Sequence, residues 1–331
     1  MTQQFKALVV NKVNEDFSVK IENLTLNDLP GDGVLIKVEY SGINYKDGLA
    51  SIPEGKIVRS YPFIPGIDLA GTVVSSDDPR FKEGDQVIAT SYEIGVSHFG
   101  GYSEYARIPG DWIVPLPEGM SLKESMIFGT AGFTAALSVK ALQDHGVTPE
   151  KGKVLVTGAT GGVGSTAVSM LAKKGYHVVA STGKAEANDY LRQLGAEEIV
   201  SREEVHNGKI KALDKQLWAG AVDPVGGETL AAILSKINYN GSVAVSGLAG
   251  GTNVPATVFP FILRGINLLG IDSVYCPMET RKEVWNLMAT DLKPENLTNI
   301  VEAEITIEEL PEYLPRILKG QSRGRVLVKM N

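Results

Sequence analysis

The sequence predicts an α/β chain of two units, a β-rich barrel or sandwich followed by a doubly wound parallel sheet. Three observations carry this. At 331 residues the chain is too long for one ordinary core. Residues 5–124 hold short β-branched runs separated by Gly- and Pro-rich breaks. From about Ser121 onward, strand-like and helix-like segments alternate, as right-handed βαβ units require.

Each element has a local reason. The runs at 5–10, 34–40 and 70–74 read as strands, and breaks such as Leu29-Pro30-Gly31-Asp32-Gly33, Ile64-Pro65-Gly66 and Glu83-Gly84-Asp85 bound them. Their even spacing suits a small barrel or sandwich. Ser121-Leu122-Lys123-Glu124 has the spacing of a capping box. Helices are then expected at 132–144, 162–174, 185–194 and 226–236, and strands at 153–157, 177–181, 219–223 and 242–247. A helix at 279–290, a segment at 305–319 and a last strand at 325–329 follow. That last strand is expected to return to the first unit.

Composition narrows the function. With 43% hydrophobic and 21% charged residues the chain reads as a soluble globular protein, and its net charge of −7 argues against nucleic-acid and anionic-membrane surfaces. Cys276 is the single cysteine, which excludes an intrachain disulfide and thiolate metal clusters. The start, Met1-Thr2-Gln3-Gln4-Phe5-Lys6, lacks the apolar segment of a signal peptide. Apolar stretches look strand-sized, so no membrane span is expected and the cytoplasm is the expected location.

The most informative segment is Lys153 to Gly164. A strand pattern ends in a turn with four glycines, Gly158, Gly161, Gly162 and Gly164, and a helical pattern follows. Such a turn brings backbone N–H groups close to a pyrophosphate at the new helix N-terminus. Gly161, Gly162, Val163 and Gly164 are the expected contacts. About 20 residues on, where a carboxylate marks a free ribose 2′-hydroxyl, the chain has Ser181, Thr182, Gly183 and Lys184. Two hydroxyls and an ammonium suit a 2′-phosphate, and Arg202 follows the next strand. NADPH is therefore expected over NADH; the alternative for Lys184 and Arg202 is ordinary solvated charge.

Further segments complete the pattern: Ser41-Gly42-Ile43-Asn44-Tyr45-Lys46-Asp47, the run from Pro65 to Val73, Gly84-Asp85-Gln86-Val87, the run from Gly129 to Ala136, Asp223-Pro224-Val225-Gly226-Gly227 and the run from Gly241 to Leu248. With these the chain resembles the zinc-independent medium-chain dehydrogenase/reductases, the quinone oxidoreductase-like enzymes. The Asn-Tyr-Lys-Asp-Gly run, the Pro-Gly-Ile-Asp run and Arg323-Gly324-Arg325-Val326 place the resemblance in the YhdH/AcuI subgroup, which includes acryloyl-CoA reductases. The resemblance implies a GroES-like β-barrel catalytic domain from 1–124 plus 271–331, and a Rossmann NADPH-binding domain at 125–270. It also implies an active site in the cleft and a homodimer paired through sheet edges.

The zinc-dependent relatives use a Cys, a His and an acid at the catalytic metal. Here Gly66-Ile67-Asp68 stands where they carry Gly-His-Glu, and His98, His145, His177 and His206 show no ligand spacing. No metal is expected, and Asp68 is read as structural. The chemistry then tilts toward hydride transfer from NADPH to the β-carbon of an α,β-unsaturated carbonyl.

At the reacting end the resemblance points to Asn44, on the nicotinamide side, and to Tyr45, facing substrate as a hydrogen-bond or proton donor; core packing is the alternative for Tyr45. Asp47 either orients Tyr45 or Lys46 or caps the helix starting there. Thr130 and Thr134 either meet the cofactor or cap their own helix, and Ser246, Gly247 and Leu248 are expected at the nicotinamide carboxamide. Arg264, Arg323 and Arg325 are candidates for the phosphates of a CoA substrate, with plain solvation as the alternative. The expected function is reduction of an enoyl-CoA such as acryloyl-CoA. The alternatives are a quinone or free-enal reductase and, in another class, an NADPH-binding protein without turnover.

Overall fold

The computed structural model describes residues 4–330. In chain order it opens with β1 (Gln4–Val13) and β2 (Asp16–Thr25), an antiparallel hairpin closed at Val13 and Asp16, with Asn14 at φ 56 in the turn. Then come β3 (Val34–Gly42), α1 (Tyr45–Ala50), β4 (Asp68–Ser76), β5 (Gln86–Thr90), β6 (Tyr105–Ile108), β7 (Ile113–Pro115) and α2 (Leu122–Asp144). The alternating part follows: β8 (Val154–Val156), α3 (Gly162–Lys173), β9 (Val178–Thr182), α4 (Asn188–Gln193), β10 (Glu198–Ser201), α5 (Arg202–Val205), β11 (Trp218–Asp223), α6 (Gly227–Leu234), β12 (Ile237–Val245), α7 (Phe259–Arg264) and β13 (Asn267–Gly270). It closes with α8 (Met278–Ala289), β14 (Val301–Thr306), α9 (Leu310–Leu318) and β15 (Arg325–Lys329).

The chain divides into two compact units. One runs to Thr130 and takes up Val274–Ala289 and the stretch from Val301; the other is Ala131–Ser273 with Thr290–Ile300. In the first unit the strands run in the order β14-β15-β3-β4-β5-β7, with β6 also on β3. The last strand does return: β15 lies antiparallel to β3, Leu327 opposite Gly42. Leu8 of β1, alternate residues of β3 and β4 and apolar residues of β15 build one core, including Val34, Ile36, Val38, Leu69, Val73, Val326 and Val328. This pairing brings Arg325, at the start of β15, to the end of β3.

In the second unit six parallel strands run β10-β9-β8-β11-β12-β13. Its central strands β8 and β11 are buried at every position, and all but Asp223 at the end of β11 lack a polar side chain. The strand order reverses between β8 and β11, and ligands of such sheets lie off the carboxyl ends of the strands at that point.

Several expectations are corrected. The helix placed at 132–144 starts at Leu122, because Gly129 (φ 51, ψ −157) kinks rather than ends it, and the boundary at 124/125 falls inside it. The expected capping box at Ser121 is present: Ser121 N donates to Glu124 Oε2 at 2.9 Å and Glu124 N to Ser121 Oγ at 3.2 Å. Residues 290–300, expected with the first unit, pack on the second, where Lys174 Nζ meets Asp291 Oδ2 at 2.7 Å. Apolar stretches are also not all strand-sized, since α2 is long and apolar enough to cross a membrane by length and composition. Its most apolar window is 78% buried in protein, the setting of a core helix.

Candidate functional site

The glycine turn has the geometry a phosphate requires. Gly158 has φ +53, and a Cβ on Gly164 would lie 2.3 Å from Gly158 O, so the turn closes only with glycine at 164. The first helical bond of α3 runs from Ser165 N to Gly161 O at 2.8 Å, and no side chain caps the helix. The N–H groups of Gly162, Val163 and Gly164 are those that an α-helix leaves without an intrahelical acceptor.

Beside it, Ser181 and Thr182 end β9, and Thr182 Oγ1 accepts the Lys184 N–H at 3.0 Å. Ser201 of β10 is in register with Thr182, which places Arg202 next to them, its Nε 2.8 Å from where a Cβ on Gly183 would be. The structure thus gathers Ser181, Thr182, Lys184 and Arg202, with no carboxylate at 181–184. Beyond β12, Ser246 N donates to Asp223 O at 3.1 Å, the Ser246 Oγ is buried with no partner among the described residues, and Leu248 is 65% exposed. A buried orphan hydroxyl and an exposed apolar side chain fit a bound dinucleotide better than an empty loop.

The first unit holds a buried ionic cluster. Asn44 is the N-cap of α1, and Asp47, three residues on, accepts its backbone N–H at 2.8 Å in a capping box. The other Asp47 oxygen accepts Ile67 N at 2.9 Å. Asn44 Nδ2 donates to Asp47 Oδ2 at 3.2 Å and to Asp68 Oδ2 at 2.8 Å, while its Oδ1 accepts Arg325 Nη1 at 3.0 Å. Arg325, 2% exposed, also donates to the carbonyls of Ile43 (3.0 Å) and Ile127 (3.1 Å), and its Nη2 is 3.6 Å from Asp68 Oδ2. Asp68 in turn caps the second half of α2, accepting Thr130 N at 2.9 Å and Thr130 Oγ1 at 2.5 Å. Thr130 Oγ1 is 3.1 Å from Ser91 Oγ.

These contacts revise several assignments. Asp47 is a helix cap whose acceptors go to Asn44 and Ile67, not to Tyr45 or Lys46. Arg325 is sealed inside and pairs with Asp68, so it is not a surface contact for CoA phosphates. Arg264 spends its donors on the carbonyls of Ser235 (2.8 Å), Ile237 (3.3 Å) and Asp214 (2.6 Å), within the second unit. Arg323 lies exposed at the surface. The Thr130 hydroxyl belongs to the Asp68 cluster, and Thr134 is buried. Asn44 has both amide donors and its acceptor committed inside the protein. Tyr45, by contrast, is 57% exposed. His98 is edge-on to Trp112 at 5.3 Å, and burial lowers its pKa.

Burial, and then the nearby charge of Asp68, push the Asp47 carboxyl up to about 7. A folded-state pKa raised above the unfolded value means that the folded chain holds the proton more tightly. The stabilisation is complete below the unfolded value of about 3.9 and is lost as pH rises through the folded value. We expect the urea midpoint to fall from about pH 5 to about pH 8, and the Asp47→Asn variant to lose most of that slope. Equal slopes in both proteins would remove Asp47 as the cause.

Comparison with known proteins bears on both units. Residues 30–118 match the family model described as alcohol dehydrogenase GroES-like domain, and residues 162–290 the one described as zinc-binding dehydrogenase. Acrylyl-CoA reductase AcuI of Ruegeria pomeroyi is 51% identical over 329 residues, 99% of each chain. The chain belongs to the zinc-independent, quinone oxidoreductase-like medium-chain dehydrogenase/reductases, in their YhdH/AcuI group. Within that family, YhfP of Bacillus subtilis, provisionally named a quinone oxidoreductase, is 65% identical over 330 residues, 100% of both chains. Its crystal structure with NAD bound gives a TM-score of 0.98 over 99% of this chain and 100% of that one. The yhdH oxidoreductase of Salmonella enterica in complex with NADP is 47% identical, with a TM-score of 0.95 over 98% and 100%.

A zinc ion, which one family description names, does not fit this member of the medium-chain dehydrogenase/reductases. Among the described residues no three His, Cys, Asp or Glu side chains stand together to hold a metal. Asp68 is already committed to Arg325, Asn44 and Thr130.

Proposed function

We propose that this chain is an NADPH-dependent reductase of an activated carbon–carbon double bond, with an α,β-unsaturated acyl-CoA such as acryloyl-CoA as substrate. The observation that carries the cofactor half is the cluster of Ser181, Thr182, Lys184 and Arg202 at the end of β9, without a carboxylate where a free 2′-hydroxyl would want one. The near-full-length similarity to AcuI supports the substrate half.

Bound NADPH supplies a hydride from C4 of its nicotinamide. The protein must hold the substrate β-carbon in line with it, offer donors to the developing enolate and deliver a proton to the α-carbon. Tyr45 is the residue we assign to that last task. Tyr45, 57% exposed, opens the first turn of α1, and the Asn44–Asp47 capping box, tied to Asp68 and Arg325, holds that turn in place. Asn44 is then a positioning residue for Tyr45. Replacing Tyr45 by Phe is expected to lower kcat by about 100-fold with little change in KM. An unchanged kcat would assign the proton to solvent.

Arg323, exposed near the start of β15, is the remaining candidate for a CoA phosphate. The provisional name of YhfP favours a second reading, reduction of a quinone or free enal. Initial rates with acryloyl-CoA, acrolein and benzoquinone, each under NADPH and NADH, separate these. We expect the acyl-CoA with NADPH to give the highest kcat/KM. A preference for NADH, as the NAD-bound YhfP structure would favour, overturns the cofactor half, and a preference for quinone overturns the substrate half.

The assembly we favour is a homodimer joined at the outer edge of β13. Among the described residues that edge strand has no further neighbour in its sheet, Leu268 is exposed on it, and Ile262, 68% exposed, and Leu263 project from α7 just before it. The acidic charge and single cysteine suit a cytoplasmic enzyme without nucleic-acid or membrane partners.

A further inference from the structure

At the switch point of the six-stranded sheet, two side chains from neighbouring strands meet. Thr157 follows β8 and Asp223 ends β11; Thr157 Oγ1 donates to Asp223 Oδ1, and Thr157 N donates to Val222 O at 3.1 Å. Asp223 is fully buried. Its Oδ1 also accepts Val225 N at 3.2 Å and its Oδ2 accepts Gly226 N at 2.9 Å. One carboxylate thus takes three donors and folds the turn Pro224-Val225-Gly226-Gly227 back over the strand end. Asparagine cannot replace it on equal terms, because its NH₂ would face one of those N–H groups.

That turn seats a second loop. Val225 O accepts Gly250 N at 2.7 Å, and Asp223 O accepts Ser246 N at 3.1 Å. The two backbones touch closely: a Cβ on Gly247 would lie 2.1 Å from Pro224 O, and one on Gly227 would lie 2.6 Å from Gly250 O. A shift of the first turn must therefore move the second. The second loop carries the unpartnered Ser246 Oγ and the exposed Leu248.

We propose that Thr157 and Asp223 form a positioning latch that sets the Ser246–Gly247–Leu248 segment, and through it the affinity for the nicotinamide half of the cofactor, while leaving the adenosine half to the glycine turn and Arg202. The latch rests on the dinucleotide reading above. It assigns a task to two residues whose hydrogen bonds shape the turn after β11.

The test measures binding of NADPH and of adenosine 2′,5′-bisphosphate, which lacks the nicotinamide half, to the full chain by calorimetry. Asp223→Asn and Thr157→Val are each expected to weaken NADPH by about tenfold or more and to leave the bisphosphate within about twofold. Thr157→Ser, which keeps the hydroxyl, is expected to restore NADPH binding. Parallel loss of both ligands, as general damage would give, overturns the latch, and so does an unchanged NADPH affinity. If Asp223→Asn does not fold, the Thr157 pair of variants decides the matter alone. Wild-type protein that bound neither ligand would instead sink the dinucleotide reading, and the latch with it.

Discussion

Replacing Arg325 by methionine is expected to destabilise the first unit by about 3–5 kcal/mol, the usual cost of leaving a buried charge without its partner. Asp68 is fully buried, and Arg325 is the cation beside it. The same guanidinium also donates to Asn44 Oδ1 and to the carbonyls of Ile43 and Ile127, so one truncation removes the ion partner of Asp68 and the donor of three further acceptors. Lysine is no substitute, since a single ammonium cannot span those directions as a planar fork does. The guanidinium lies so close to Gly129 that a Cβ there would come within 2.6 Å of Nη2. Denaturant unfolding measures the loss. In the double variant Arg325→Met with Asp68→Asn the buried charge is gone from both sides, so the combined loss should be smaller than the sum of the two single losses. A single-variant loss below about 1 kcal/mol, typical of an exposed pair, would contradict the cluster as described.

The second large effect is expected at Gly164. A side chain there meets Gly158 O at 2.3 Å and Ala159 Cα at 2.7 Å, both backbone atoms that cannot step aside without opening the turn. Gly164→Val should therefore weaken NADPH by about 100-fold or more, equivalent to roughly 2.7 kcal/mol. Gly31→Ala, outside the turn, is the control, since its Cβ would meet nothing within 4 Å. Its NADPH affinity should stay within about threefold of wild type. If Gly164→Val bound NADPH as wild type does, phosphate approach at this turn would be the wrong account of it.

What could be read in advance follows from how local each feature is. Most of the alternating strands and helices from 153 to 245, though not the four-residue α5, were legible because each turn and each apolar period lies within about a dozen residues. The return of 325–329 to the first unit was legible because the apolar run Val326-Leu327-Val328 needs a sheet to bury it. The kink at Gly129 was hidden: a glycine inside an apolar helix reads equally as a start, a stop or a bend. Residues 290–300 bury Leu297 and Ile300 and pair Asp291 and Glu295 with Lys174 and Lys173, long-range contacts that no local pattern announces.

The site divides along the same line. Ser181, Thr182, Lys184 and Arg202 could be grouped from position alone, since they lie at the ends of neighbouring strands of one sheet. Arg325 was misread because its partner Asn44 lies 281 positions away, and an arginine beside a terminal strand looks solvated until the strand pairing is known. One signal was available: Arg325 opens the run Val326-Leu327-Val328, which is too apolar for an edge strand, and a charge at the mouth of a buried strand needs a buried partner. Asp47 carried its own clue in the Asn44–Asp47 spacing, which matches a capping box. The Thr157–Asp223 pairing lay beyond any sequence argument, because neighbouring parallel strands can be far apart in the chain.

The central claim is that a nicotinamide hydride is delivered to the β-carbon of an unsaturated acyl-CoA. The most direct measurement gives the enzyme acryloyl-CoA and NADPH carrying deuterium at C4 on the transferred face, and locates the label in the product by NMR and mass spectrometry. The account predicts propionyl-CoA with one deuterium at the β-carbon and a solvent-derived hydrogen at the α-carbon. Label at the α-carbon, or no reduction of the acyl-CoA while a quinone is turned over, would contradict it.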